Sequence, residues 1–168
     1  FGRYISGISG DYLFHSVPYY SMSEEDLELE EFNKLGEQAS QGCVRLAVSD
    51  AKWVYDNCPT GTNVSIYDDA ENAGPLGKPD AIKITDFTNK WDPTDSNKKC
   101  PYAKATPIIS GANDYTIKSG GEFYALAGVT AVDTCGNDIT SNIEVFGNVI
   151  TTRKGKYKVT YSVTDVLK

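Results

Sequence analysis

Histidine is almost absent from the sequence, and cysteine occurs without the spacing of a metal site. The 168 residues include one histidine, His15, and four cysteines that form no CxxC pair. A structural zinc site needs closely spaced cysteine and histidine ligands. The sequence therefore argues against such a site, and a reaction that pairs a cysteine with a histidine must use His15.

Basic residues and long apolar runs are also scarce. The sequence has 16 Lys and Arg residues and 23 Asp and Glu residues, which gives a formal charge of −7. Binding to a nucleic-acid backbone needs clustered Lys and Arg, so this balance argues against such a partner. No apolar run approaches the roughly 18 residues that span a bilayer. Since residue 1 is not Met, we expect a piece of a longer precursor whose export signal or anchor lies outside these residues.

Composition divides the chain into three stretches. Residues 1–69 contain the only clear helix pattern, residues 70–103 are rich in Asn, Gly, Pro, Asp and Lys, and residues 104–168 alternate apolar with polar positions. The first stretch predicts a mainly β domain with one short helix. The second predicts a linker or a partly docked connector, and the third predicts a small β-sandwich.

Three elements are predicted within the first stretch. Residues 11–17 and 62–67 have the pattern of strands, and residues 49–57 have the spacing of a helix. Ser49 is the expected N-cap of this helix, because a serine hydroxyl accepts from the first free N–H groups. The face of the helix that turns to the sheet is expected to carry Ala51, Trp53 and Val54.

The segment Ser40-Gln41-Gly42-Cys43-Val44-Arg45 carries the residues best suited to chemistry. A cysteine directly after a glycine can sit on a sharp turn that presents its sulfur and its own N–H to a substrate carbonyl. With an imidazole available, Cys43 is a candidate nucleophile and His15 its candidate base. The alternative is structural, because most cysteines in an apolar context are small buried hydrophobes.

Several further motifs occur in fixed order around this segment. They lie at residues 13–16, 35–36, 39–46, 50–57 and 59–67. Together they resemble the YkuD-type L,D-transpeptidase catalytic domain in its Gram-positive, clostridia-like form. The resemblance implies a truncated mixed β-fold whose N-terminal strands are missing. It also implies a cysteine acyltransferase that forms 3→3 cross-links in peptidoglycan through a thioester, with release of D-Ala.

The resemblance implies catalytic roles for four residues. Cys43 corresponds to the nucleophile, and His15 to the base that later acts as an acid. Ser16 would orient the imidazole through its backbone carbonyl, which selects the tautomer. The backbone N–H groups of Gly42 and Cys43 would receive the oxyanion. No metal or other cofactor is implied.

Three more residues are implied in the substrate pocket. Ser40 and Arg45 stand where the family shapes this pocket. Arg45 either grips a stem-peptide carboxylate or forms a structural ion pair. Gln41 departs from the family, which usually has histidine there; glutamine forms hydrogen bonds but does not titrate. We expect activity to survive with an altered rate or specificity.

The resemblance also implies partners and a location. The partners are peptidoglycan stem peptides, and the location is the cell wall or cell surface. The missing strands would be supplied by an N-terminal segment or by a second chain. Two alternatives stay open. One is an L,D-carboxypeptidase or hydrolase that resolves the same thioester with water, and the other is a non-catalytic wall-binding protein.

Three segments of the last stretch, residues 129–133, 136–140 and 155–165, resemble the immunoglobulin-like modules of bacterial surface proteins. This implies a spacer or adhesion module, whose last strand is expected to be missing beyond residue 168. Three of its aspartates either bind calcium or form hydrogen bonds within turns. They are Asp133, Asp138 and Asp165.

The cysteines other than Cys43 have no predicted catalytic part. Cys58 is expected to be buried and reduced. Cys100 and Cys135 are expected to form a disulfide, because export permits oxidation. Such a bridge would close a loop of roughly 35 residues.

Overall fold

The computed structural model describes residues 1–69, 71, 74 and 77–167. The chain divides into two compact units, Phe1–Lys104 and Ala105–Lys168. None of the helices in the described ranges is long and apolar enough to cross a membrane. The predicted mainly β class with a mixed sheet is confirmed, although the first unit has two helices instead of one.

The first unit is built on a three-stranded sheet in the order β1-β2-β3. Strand β1 (Ser6–Ser9) pairs antiparallel with β2 (Tyr12–Ser16), and β2 pairs in parallel with β3 (Val44–Leu46). Strand β2 confirms the strand predicted over 11–17. Helix α1 (Leu29–Phe32) lies in the long connection between β2 and β3.

Apolar side chains from the connection, from the start of the second helix and from the end of the unit form one core. This core comprises Val17, Tyr19, Leu27, Leu29, Phe32, Ala47, Val48 and Ile84. The connection between β2 and β3 is therefore packed into the unit and does not loop out.

Helix α2 (Val48–Asn57) confirms the predicted helix but not its predicted cap. The N-cap is Ala47, which forms no side-chain cap. Instead Val48 N–H donates to Asp92 Oδ2 over 2.9 Å, and Ser49 N–H donates to Thr94 Oγ1 over 3.1 Å. The cap is thus supplied from a distant part of the chain, and the prediction for Ser49 was wrong.

The buried face of α2 also differs in part from the prediction. Ala51 is fully buried and Val54 is half-buried. Trp53 was expected on this face, yet it is 62% exposed. Its neighbour Lys52 pairs with Asp56 one turn later, so this side of the helix faces solvent.

The predicted connector is part of the first unit. Residues 70, 72, 73, 75 and 76, at its start, lie outside the described residues. Further along, Ile84 exchanges two hydrogen bonds with the Asn33 side chain, and Asp95 pairs with Arg3 over 2.6 Å. The segment also supplies buried side chains, namely Ile84, Trp91, Asp92, Cys100 and Tyr102. It therefore completes the core of this unit and does not act as a linker.

The strand predicted over 62–67 is absent from the structure. These residues form no helix or strand, and Ile66 is 73% exposed. Val64 and Tyr67 are exposed as well. An alternating pattern becomes a strand only when a neighbouring strand accepts its hydrogen bonds, and no strand of the described chain pairs with this segment.

The second unit has two short antiparallel sheets. Strand β4 (Ile108–Ser110) pairs with β5 (Thr130–Val132), and β6 (Glu144–Phe146) pairs with β7 (Thr160–Ser162). Their core comprises Val129, Ala131, Ile139 and Ile143, with four partly buried side chains packed against it. This agrees with the predicted small sandwich.

The aspartates of the second unit bind backbone groups. Asp133 accepts from the N–H groups of Cys135 and Asn137. Asp165 accepts from Thr134 and Leu167 N–H, and Asp138 accepts from Thr140 N–H. The residues that the structure describes contain no cluster of three or more possible metal ligands. Of the two predicted roles, the turn hydrogen bonds are the one observed.

None of the four cysteines, all of which the structure describes, belongs to a disulfide. The predicted bridge between Cys100 and Cys135 was therefore wrong. Both side chains are buried, and Cys100 Sγ contacts the backbone oxygen of Asp92 over 3.6 Å. Cys58 is half-buried instead of buried.

Candidate active site

The predicted catalytic residues meet in a cavity of the first unit. Its volume is about 770 Å³, which falls within the usual range for small-molecule and peptide sites. The lining residues are Asp11, Tyr12, His15, Gln38, Ala39, Ser40, Gln41, Cys43 and Arg45. Five of the seven residues singled out from the sequence therefore line one cavity, and the other two, Ser16 and Gly42, are direct neighbours of lining residues.

The register of the sheet explains this convergence. In the parallel pair of β2 and β3, His15 is level with Arg45. Paired residues on neighbouring strands point to the same side of the sheet, so His15 and Arg45 share a face. Successive residues of one strand point to opposite sides. Cys43 comes two residues before Arg45 and continues that face. Parallel pairing thus brings together residues that are far apart in the sequence.

The backbone fixes the orientation of the His15 ring. Nδ1 of His15 lies 2.6 Å from the carbonyl oxygen of Ser16. Because a carbonyl oxygen only accepts hydrogen bonds, Nδ1 must carry the proton. In the neutral ring this leaves a lone pair on Nε2, the state that a general base requires.

Ser16 is itself held firmly. It is fully buried, its N–H donates to Arg3 O over 3.0 Å, and its hydroxyl donates to Val17 O over 2.9 Å. The hydroxyl also accepts from Arg3 N–H over 2.9 Å. The carbonyl that meets His15 is therefore part of a satisfied backbone network.

Ser40 organises the loop that carries Cys43. Its hydroxyl donates to the Cys43 carbonyl over 2.5 Å and accepts from Gly42 N–H over 3.1 Å. Of the two predicted oxyanion donors, the Gly42 N–H is thus already engaged. Cys43 Sγ lies 3.9 Å from the backbone oxygen of Asp11, which places the thiol beside the turn between β1 and β2.

Helix α2 does not act on Cys43 directly. Strand β3 separates the two, and Asp92 and Thr94 bind the first N–H groups of the helix. The favourable end of a helix dipole acts only within the first turn. The dipole of this helix therefore does not act on Cys43.

Both the backbone conformation at position 42 and the lack of space for a side chain there require glycine. Its φ is +133°, and a Cβ there would lie 2.3 Å from Cε1 of Tyr12 and 2.6 Å from Cδ1. The Tyr12 ring thus packs on the backbone of the residue before Cys43. No sequence pattern indicated Tyr12, which lies directly after the Gly10-Asp11 turn.

We expect Gly42→Ala to lower the stability of the first unit by about 1–3 kcal/mol, because it adds a clash to an unfavourable φ. Peptide-resolved alkylation of Cys43 and thermal unfolding measure the effects. Gly61→Ala is the matched control, since Gly61 has φ +98° but open space around its Cβ position. Combining Gly42→Ala with Tyr12→Ala should restore part of the loss; no recovery would show that the ring contact is unimportant.

Arg45 takes part in an ion pair at the cavity wall. Its Nη1 lies 2.5 Å from Glu31 Oε2, and Lys34 pairs with the other oxygen of Glu31. The hydrogen bonds from Lys34 and then Arg45 hold the pKa of Glu31 below its ordinary value. Arg45 Nε is buried and has no hydrogen-bond partner among the described residues. Of the two roles predicted for Arg45, the contacts therefore show the structural ion pair.

We expect Glu31→Gln to cost about 1 kcal/mol of stability at pH 7. Folding lowers the pKa of Glu31. The ionised Glu31 side chain therefore stabilises the folded state at pH values above the ordinary carboxyl pKa, and this stabilisation is lost as the pH falls through the lowered pKa of the folded state. Urea unfolding of the variant and the wild type should therefore converge in acid. Glu30→Gln, on the same helix at an exposed position, should show no such pH-dependent gap.

Two family models match parts of the chain. The L,D-transpeptidase catalytic domain matches residues 2–66, and the bacterial surface protein Ig-like domain matches residues 107–167. These ranges contain the cavity residues and the second unit's core, respectively.

Two curated relatives share segments of similar length. A Bacillus subtilis protein named "Putative L,D-transpeptidase YciB" is 49% identical over 57 residues, which are 34% of this chain and 28% of that protein. The pesticidal crystal protein Cry22Aa of Bacillus thuringiensis is 42% identical over 59 residues, which are 32% of this chain and 8% of that protein. The chain thus spans less than a third of either relative.

Residues 2–66 are therefore similar to the L,D-transpeptidase catalytic domain, and residues 107–167 are similar to the Ig-like domain of bacterial surface proteins.

Proposed function

We propose that the protein is a peptidoglycan L,D-transpeptidase that forms 3→3 cross-links through a thioester on Cys43. The observation that carries the proposal is the placement of Cys43 and His15 on one cavity, with His15 Nδ1 bound to the Ser16 carbonyl. A thiol nucleophile and an oriented imidazole base are the two groups that acyl transfer requires.

Each step of the proposed reaction uses residues of the cavity. His15 Nε2 takes the proton of Cys43 Sγ, and the thiolate attacks the carbonyl of the third residue of a stem peptide. The Cys43 N–H receives the oxyanion. The carbon–nitrogen bond to D-Ala then breaks, His15 returns the proton to the leaving amine, and a thioester remains.

A second stem resolves the thioester. Its side-chain amine attacks the thioester carbonyl, loses a proton to His15 and forms a new amide bond. The carbon–sulfur bond breaks and Cys43 regains its proton from His15. Ser40 holds the loop, and Gln41 and Arg45 line the cavity that would receive the stem peptide.

Two other functions rest on observations of their own. The residues around Cys43 from Ser40 to Gly42 are exposed, which favours entry of water and hence an L,D-carboxypeptidase or hydrolase. Gln41 in place of the family's histidine favours a non-catalytic wall-binding protein. Product analysis with a tetrapeptide stem separates them: a dimer indicates transpeptidation, a tripeptide alone indicates hydrolysis, and unchanged stem indicates binding.

The location and the completing partner belong to the same proposal. An immunoglobulin-like surface module next to a wall-enzyme domain supports a site of action at the cell wall or cell surface. The exposed apolar residues Val64, Ile66 and Tyr67 supply a face that a further part of the catalytic fold would cover. That part is an additional segment of the same protein or a second chain.

Incubation of the protein with a carbapenem tests the proposal. We expect one covalent adduct, found by mass spectrometry on the peptide that contains Cys43, because the thiolate opens the lactam ring as it would attack the stem carbonyl. Cys43→Ala should abolish the adduct, and Cys58, a half-buried thiol in the same unit, is the internal control. Absence of an adduct in a protein that also contains the completing segment would overturn the proposal.

A further inference from the structure

The backbone of residues 2 and 3 lies beside the strand end that carries His15. Ser16 N–H donates to Arg3 O over 3.0 Å, and Arg3 N–H donates to Ser16 Oγ over 2.9 Å. These two bonds fix the segment against the end of β2. The residue before Arg3 is Gly2, which is half-buried.

Any side chain at Gly2 would meet the side chain of His15. A Cβ on Gly2 would lie 3.1 Å from His15 Nδ1 and 3.4 Å from its Cβ and Cγ atoms. A carbon at 3.1 Å is closer than ordinary van der Waals contact, so the ring would have to move. Gly2 therefore leaves free the space beside the ring, whose Nδ1 meets the carbonyl of Ser16.

Backbone conformation does not explain a glycine here. The φ of Gly2 lies outside the left-handed region, in contrast to the +133° of Gly42. Alanine would therefore be tolerated by the main chain. Space against the imidazole is the constraint that remains.

We propose that Gly2 is a positioning residue that holds His15 in its Nδ1–H tautomer. The inference rests on the proposed function of His15 as a base. The absence of a side chain at Gly2 leaves the ring room to keep Nδ1 directed at the Ser16 carbonyl, so that the Nε2 lone pair is left for the Cys43 thiol. A side chain that turns the ring away from the carbonyl breaks this hydrogen bond, and the proton is then free to reside on Nε2, where it blocks acceptance of the thiol proton.

The experiment compares Gly2→Ala and Gly2→Val with Gly7→Ala in the full chain. Gly7 is the matched control, because it also has an ordinary φ but has nothing within 4 Å of its Cβ position. Since His15 is the only histidine, nitrogen NMR after histidine-selective labelling reports its tautomer without overlap. The second readout is the rate of Cys43 alkylation by iodoacetamide as a function of pH, resolved by peptide.

We expect the wild type and Gly7→Ala to share the Nδ1–H tautomer and the same pH profile. Gly2→Ala should move the ring towards the Nε2–H tautomer and slow alkylation at neutral pH by about tenfold, with a larger change in Gly2→Val. In alkaline solution, where the thiol ionises without help, the rates should agree. The NMR reading is taken on the folded signal, so a loss of stability does not mask it.

An unchanged tautomer and pH profile in both Gly2 variants would overturn the inference, as would an equal change in Gly7→Ala. Neither readout depends on acyl transfer. If the carbapenem test failed, the proposed function would be overturned. The comparison of tautomers in the Gly2 variants would still decide whether Gly2 positions the His15 ring.

Discussion

Replacement of His15 by alanine should slow carbapenem acylation of Cys43 by about 10²–10⁴-fold at neutral pH. His15 is the only histidine of the chain, and its hydrogen bond to the Ser16 carbonyl leaves Nε2 as the proton acceptor. Without it, the thiol must lose its proton to solvent. The rate of the variant should therefore climb steadily with pH, whereas the wild type already reacts at neutral pH. Stopped-flow absorbance of the lactam ring measures both.

Ser16→Ala provides the contrast for this prediction. It removes the hydroxyl that binds Arg3 N–H and Val17 O but retains the carbonyl that meets His15. We expect this variant to lose stability and to keep most of its acylation rate. A His15→Ala protein that reacts within about threefold of the wild type would show that His15 is not the base.

Asp92→Ala should destabilise the first unit by about 2–4 kcal/mol. The Asp92 side chain is fully buried. It accepts from Val48 N–H at the start of α2 and from both the N–H and the hydroxyl of Thr94. Alanine leaves these donors without their acceptor inside the unit. Helix α2 packs against β2 and β3, so the loss should reach the strands that carry His15 and Arg45.

Asp86→Ala is the matched control for Asp92→Ala. Asp86 stands in the same Asp-x-Thr pattern and accepts from Thr88 N–H over 2.9 Å, but it is exposed. It should change stability by no more than about 1 kcal/mol. Urea unfolding followed by tryptophan fluorescence is selective, because Trp53 and Trp91 are the only tryptophans and both lie in the first unit. Equal effects of the two substitutions would show that the cap contributes little.

Local patterns in the sequence predicted the elements that depend on local interactions. Strand β2 and helix α2 follow from alternation and helical spacing. The segment from Ser40 to Arg45 was identified as a unit, and it lines the cavity with His15. That convergence depends on parallel pairing of β2 with β3, which the residue pattern alone did not indicate.

The failed predictions concern groups that meet partners far along the chain. Ser49 has the chemistry of an N-cap, but Asp92, 44 residues after Val48, occupies that place. For the Asn- and Pro-rich segment the sequence left open a linker or a partly docked connector, and only its buried side chains favour the second. Residues 62–67 alternate like a strand but have no neighbour to pair with in the described chain. Neither composition nor local pattern indicates which distant residues a segment will contact.

The distant cap of α2 also sets an order of events during protein synthesis. The ribosome synthesises β2, β3 and α2 well before Asp92, which binds the first N–H group of α2. The ion-pair partner of Arg3, Asp95, is synthesised 92 residues after Arg3. Contacts of such separation form slowly because a long loop must close first. Until the segment around Ile84 has emerged, the apolar core side chains that pack with it stay accessible to chaperones and proteases. The Cys43 loop therefore gains its final support only when most of the first unit has left the ribosome.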